Sequence, residues 1–137
     1  MTREDVPVIA VVAAGGALGA LARYALTVAI PPTPGQLPAA TAIANVTGCF
    51  LIGILMVVVT EVWTGHRLLR PFLGVGVLGG YTTLSTYAVE VRELLAGGHT
   101  PLAVTYLAGS VLAALAAVLA GLWIARAVVG ARVGKGI

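Results

Sequence analysis

Four stretches of this chain run through apolar residues for about the thickness of a membrane, and almost nothing charged interrupts them. Residues 6–30 hold one charge, Arg23, while residues 37–60, 71–89 and 100–125 hold none. A hydrocarbon core about 30 Å thick needs about 20 apolar residues at a rise of about 1.5 Å each. The pattern predicts an all-α integral membrane protein, a four-helix bundle in one membrane domain over 1–137, with spans at about 6–30, 37–60, 69–94 and 100–126. Strict period-2 alternation is missing, which argues against a β-barrel. Only 9% of residues are charged and 59% are hydrophobic, against about 25% charged in a soluble domain. So few charges cannot clothe a water-facing surface or build a basic patch for nucleic acid. Membrane lipid is the expected surrounding, with no nucleic-acid partner.

The first stretch reads as a span and not a cleaved leader, because Glu4 and Asp5 stand where a leader carries positive charge. The single cysteine, Cys49, can form no intrachain disulfide. Connections are short, and none can hold a domain. Residues 31–35 carry three prolines and a glycine that end the first span. Residues 61–70 carry Glu61, His66, Arg67 and Arg70, and residues 90–99 carry Glu90, Arg92, Glu93 and His99. With four spans, Arg3, Arg67, Arg70, Arg126, Arg132 and Lys135 share one side, against Arg92 alone on the other. Basic residues stay cytoplasmic, so both termini are expected there, in one fixed orientation.

Small residues mark where membrane helices approach closely. Gly15 and Gly19 form one such pair, and Gly109, Ala113, Ala117 and Gly121 form a stripe. The third stretch differs. Its centre reads Gly79-Gly80-Tyr81-Thr82-Thr83-Leu84-Ser85-Thr86-Tyr87, two poor helix formers followed by a run of hydroxyls. This reads either as a helix broken mid-membrane or as a glycine kink whose Ser and Thr bond back to their own helix. A break frees carbonyls that suit a small cation and N–H groups that suit an anion. On the second span Thr41, Asn45, Gly48 and Ile52 share a face, and on the last Tyr106 and Ser110 stack. Arg23 either snorkels outward or lends positive potential to a water-filled mouth. No Asp, Glu, Lys or His falls in the uncharged stretches. That removes the usual proton-coupling acid, metal ligands and any acid–base pair, so no enzyme is expected. Neutral donors with one arginine favour an anion.

Three segments resemble a family. Residues 15–24 (GGALGALARY), 41–50 (TAIANVTGCF) and 79–87 (GGYTTLSTY, followed by Glu90) are similar, in order and spacing, to the helix motifs of the Fluc (CrcB) fluoride channels. The resemblance implies an antiparallel dimer in the bacterial plasma (inner) membrane, with two narrow fluoride pores. It also implies a central structural sodium ion that is not transported. On this sequence the sodium's backbone carbonyls would be those of Gly79 and Thr82. The fluoride path would take Asn45, Ser85, Thr86, Tyr106 and Ser110, together with positions 84 and 87, and Arg23 would stand at the vestibule. The implied function is passive release of fluoride that has entered as neutral hydrogen fluoride, which confers fluoride resistance.

At positions 84 and 87 the family pattern has phenylalanine, where this chain has Leu84 and Tyr87. An aromatic edge is electropositive and can meet a partly dehydrated anion. Tyr87 keeps the ring, whereas Leu84 offers none. Together with the one-sided basic residues, this raises an inverted homologous subunit, supplying the missing ring, as the partner beside a homodimer. Two other classes compete: a small four-helix multidrug exporter, which would need an embedded acid, and a non-transporting membrane assembly protein, whose small-residue stripes would only pack.

Overall fold

A computed structural model describes residues 5–63 and 67–133, so Arg3, Glu4, His66 and Lys135 lie outside the described residues. All regular structure among those described is helical. Helix α1 is Asp5–Ala29, α2 is Ala39–Val57, α3 is residues 71–81, α4 is Ser85–Ala96 and α5 is Thr100–Val133. Two segments are wound more widely than an α-helix. Past α2, over Val58–Val62, the N–H of Trp63 reaches back five residues to the carbonyl of Val58 at 2.8 Å. In the Pro71–Leu78 part of α3, the same spacing joins the N–H of Gly79 to the carbonyl of Gly74.

Three helices are long and apolar enough to cross a membrane: α1, α2 with its wide turn, and α5. The remaining stretch is two shorter helices, α3 and α4, separated by Thr82, Thr83 and Leu84. α5 runs to Val133, past the expected end near 126, because Arg126 can sit on its exposed face without breaking the backbone pattern. Glu90, Arg92 and Glu93, read above as part of a connection, lie inside α4.

The chain's punctuation follows its residues. Prolines 31, 32 and 34 lack the N–H groups that would extend α1, and Gly35 turns the chain with φ +75°. At the end of α4, Gly98 takes φ +79°. There the N–H groups of Gly98 and His99 return to the carbonyls of Leu95 and Leu94 at 3.1 and 2.9 Å. This satisfies two end carbonyls before α5 begins one residue later.

Glycines decide which helices meet. A Cβ on Gly15 or Gly19 would strike the backbone of Phe72, Val77 or Tyr81, and one on Gly76 or Gly80 would strike the backbone of Val12, Gly15 or Gly16. Helices α1 and α3 therefore cross glycine to glycine and run in the same direction. Gly53 and Gly121 repeat the device, each against the other helix's backbone, joining α2 to α5. Of the expected stripe, Gly121 is thus packed, while Gly109 has nothing within 4 Å. The α2 contacts Leu55 to Gly74, Gly48 to Tyr81, Asn45 to Thr83 and Thr41 to Glu90 show α3 and α4 both running antiparallel to α2. The chain keeps its heading across the interruption and does not fold back as a hairpin.

Little apolar surface is hidden inside the single chain. An 18-residue window of α1 is 11% buried and one of α5 is 6% buried. Helices this bare must meet lipid or another protein chain.

Candidate functional site

Backbone accounting at the interruption identifies the site. A continuous helix would send the N–H groups of residues 83, 84, 85 and 86 to the carbonyls of residues 79, 80, 81 and 82. None of these four bonds forms. The N–H of Thr83 goes to Asn45 Oδ1 at 2.8 Å, and Asn45 Nδ2 donates back to the Thr83 carbonyl at 2.9 Å. The N–H of Thr86 goes to Thr83 Oγ1 at 3.2 Å. The Gly80 carbonyl accepts from Arg23 Nε at 3.2 Å. Beyond the gap the ladder resumes, with Ala88 N–H on the Leu84 carbonyl at 2.9 Å.

Thr82 is the last residue to bond in the α3 pattern. Its N–H and its hydroxyl both reach the Leu78 carbonyl, at 3.0 and 2.9 Å, while its own backbone turns extended at φ −80°, ψ 156°. Thr83 then caps α4, with its hydroxyl in the position that satisfies an orphan N–H of the first turn. Among the described residues, no donor reaches the carbonyls of Gly79, Tyr81 or Thr82, and no acceptor reaches the N–H groups of Leu84 or Ser85. Backbone groups left this way require water, an ion or another chain. The carbonyls end one helix and the free N–H groups begin the next, so a cation fits one side of the gap and an anion the other.

A cavity of about 390 Å³ lies against this gap and gathers Asn45, Gly79, Thr82, Leu84, Tyr87 and Ser110. Gly48 and Ile52 of α2 line it too, whereas Thr41 on the same helix does not. Leu84 is 78% exposed. Four expected residues stand elsewhere. Ser85 and Thr86 meet through the hydroxyl of Thr83, at 3.3 and 3.1 Å. Arg23 donates its Nε to the Gly80 carbonyl at 3.2 Å. Tyr106 is 2% exposed and donates its hydroxyl to Glu90 Oε2 at 2.7 Å. The hydroxyl by which Tyr87 differs from phenylalanine donates to the Leu107 carbonyl at 2.6 Å, and its ring meets Tyr106 edge to face at 5.1 Å.

Glu90 is the residue that sequence reasoning misplaced. Its carboxyl group lies between helices, accepting from Thr41 Oγ1 and Tyr106 Oη, both at 2.7 Å. Its position three residues after Tyr87, on the same helical face, was the available signal. Replacing it leaves two buried hydroxyls without an acceptor, at about 1–3 kcal/mol each. Glu90→Ala is expected to lower stability by about 2–5 kcal/mol, and Glu90→Gln by less, because an amide oxygen still accepts one of them. Thermal unfolding of the purified variants measures this, and equal losses for both would show that the two hydroxyls do not depend on Glu90.

Three apolar helices of membrane-spanning length, packed with two shorter helices beside a cavity, define a small helical membrane protein. The chain belongs to the CrcB family: the model described as "CrcB-like protein, Camphor Resistance (CrcB)" matches residues 10–122. It is 55% identical to Fluoride-specific ion channel FluC 2 of Nocardia farcinica over 93% of this chain and 91% of that protein. It is 53% identical to FluC 1 of Streptomyces coelicolor over 92% and 82%, and 40% identical to FluC of Nitrobacter winogradskyi over 88% and 96%.

Proposed function

We infer that this chain is a subunit of a passive fluoride channel that lowers cytoplasmic fluoride. The observation that carries the reading is the gap at 82–84. There a protein related to fluoride-specific ion channels exposes unpaired N–H groups and carbonyls beside a cavity. Helices α3 and α4 form one interrupted span. The N–H groups of Leu84 and Ser85, the second Nδ2 hydrogen of Asn45 and the hydroxyl of Ser110 are neutral donors that can replace fluoride's water without trapping it. Thr86, the Tyr87 ring and Tyr106 extend the path along α4 and α5. Arg23 adds positive charge at the gap, which weighs against a moving cation.

The free carbonyls of Gly79 and Thr82 suit a sodium ion, a hard cation that prefers neutral oxygen ligands in a low-dielectric site. That ion, when bound, supplies fixed charge that ties the two halves of the span together. One chain offers it too few oxygens for a closed shell. A second chain in the opposite orientation, a copy or an inverted homologue, completes the set and covers the bare helices, giving an antiparallel dimer. The basic residues orient the chain with both termini cytoplasmic in the bacterial inner membrane, surrounded by lipid.

One observation favours a second reading. Glu90 lies between helices, and an exporter driven by protons needs an acid there. Its two hydroxyl donors hold it as part of the packing, and the relatives bear the name of fluoride channels. Liposomes loaded with fluoride separate the readings. A membrane potential should drive fluoride out through the reconstituted chain, alone or with an inverted homologue. Drug-dependent proton flux would establish the exporter, and flux of neither kind the assembly protein.

A further inference from the structure

We propose that Asn45 and Thr83 are positioning residues for the alkali ion, acting by diverting the two N–H groups that would otherwise cover its carbonyls. The inference rests on the sodium reading above and concerns what keeps the site open.

Helical geometry pairs Thr83 N–H with the Gly79 carbonyl and Thr86 N–H with the Thr82 carbonyl. Both donors sit close to those acceptors in sequence, and an unpaired N–H away from water costs several kcal/mol, so either gains by closing on its carbonyl wherever the extended backbone at Thr82 lets it reach. Two side chains prevent the closure. Asn45 Oδ1 takes Thr83 N–H at 2.8 Å, and Asn45 Nδ2 holds the Thr83 carbonyl at 2.9 Å, so the whole peptide unit is gripped from α2. Thr83 Oγ1 takes Thr86 N–H at 3.2 Å. The carbonyls of Gly79 and Thr82 are the two whose helical donors are removed by a side chain. Thr82 offers a contrast, because its hydroxyl bonds back to the Leu78 carbonyl and leaves the gap unchanged.

The two devices differ in what they can tolerate. Thr83 needs only a hydroxyl at Cβ, which serine also supplies. Valine keeps the shape of threonine but releases Thr86 N–H toward the Thr82 carbonyl. That carbonyl is then drawn along the axis of α4 and shares its lone pairs with a donor. Asn45 needs both amide ends, and alanine releases Thr83 N–H toward the Gly79 carbonyl.

The test reads sodium binding by thermal unfolding of the full-length assembled protein, titrated with sodium chloride against N-methylglucamine chloride at constant ionic strength. A ligand that binds only the folded state raises Tm with its concentration. The half-saturating sodium concentration should rise at least tenfold in Thr83→Val and stay within about twofold in Thr83→Ser. Fluoride efflux from Thr83→Val should recover as sodium is raised, which a merely structural defect would not do. A folded Thr83→Val with wild-type half-saturation overturns the diversion while leaving sodium binding intact. A wild-type protein whose Tm is indifferent to sodium removes the sodium reading and the diversion with it. If Thr83→Val does not fold, Asn45→Ala decides by the same criterion at the Gly79 carbonyl.

Discussion

Gly19→Val should leave no folded, conducting protein. A Cβ at this position falls on the Val77 carbonyl oxygen and within 2.8 Å of the Tyr81 backbone nitrogen. Overpacking in a core usually costs about 1–3 kcal/mol because flexible side chains move aside. Here the obstacle is the backbone of α3, one turn before the gap, and the neighbouring crossing at Gly16 and Gly80 is just as close. The helices must separate as rigid bodies, at more than about 3 kcal/mol. Separation also draws Arg23 off the Gly80 carbonyl. Size-exclusion chromatography should show aggregate, and efflux should fall to background. Gly109→Ala is the control, since nothing lies within 4 Å of its position and alanine favours a helix. Its fold should be intact. Loss of efflux from a folded Gly109→Ala would place a second chain on that face of α5. A folded, conducting Gly19→Val would contradict the glycine crossing itself.

What could be read beforehand divides along a physical line. The Gly15 and Gly19 pair was legible because close approach requires small residues at helical spacing, and the structure sets them on α3. The unusual segment at 79–87 was legible because two glycines and a run of hydroxyls favour neither lipid nor an unbroken helix, and Asn45 because an amide in an apolar stretch must find a partner. The partners themselves were not legible. Arg23 finds its acceptor 57 residues away, and Glu90 finds Thr41 at a separation of 49. Such pairings belong to the tertiary arrangement and leave no local pattern. Glu90 was misread for a related reason. A charge ends an apolar run by count, but a carboxyl group with two hydroxyl donors can lie among helices. The competing expectation for 79–87, hydroxyls bonding back to their own helix, holds for Thr82, and Thr27, Thr47, Thr60 and Thr105 make the same bond outside that segment. It does not hold for Thr83 and Thr86, whose bonds join the gap to the first turn of α4. Local rules govern most of these threonines; Thr41, which reaches Glu90, and Thr83 and Thr86, beside the gap, depart from them.

Leu84→Phe should raise fluoride efflux from the chain reconstituted alone by about tenfold. The position adjoins the unpaired N–H groups that begin α4 and lines the cavity with Asn45 and Ser110. Leucine gives an anion leaving water nothing to bind there, whereas a phenyl ring presents an electropositive edge. A gain of about 1.4 kcal/mol at the limiting position corresponds to the tenfold change. The side chain is 78% exposed, so a larger ring needs no rearrangement within the chain, and stability should change by less than about 0.5 kcal/mol. Tyr87, three residues on, marks the difference between the two positions, because it already carries a ring and its hydroxyl is anchored on the Leu107 carbonyl. The same variant bears on the partner. If an inverted homologue normally supplies the ring at this place, Leu84→Phe should help the chain alone far more than it helps the mixed assembly, where one ring is already present. An equal gain in both would mean that the partner brings no ring to this pore. No gain in either would show that passage is limited elsewhere, and attention would turn to Ser110 and the Asn45 amide as the next donors along the cavity.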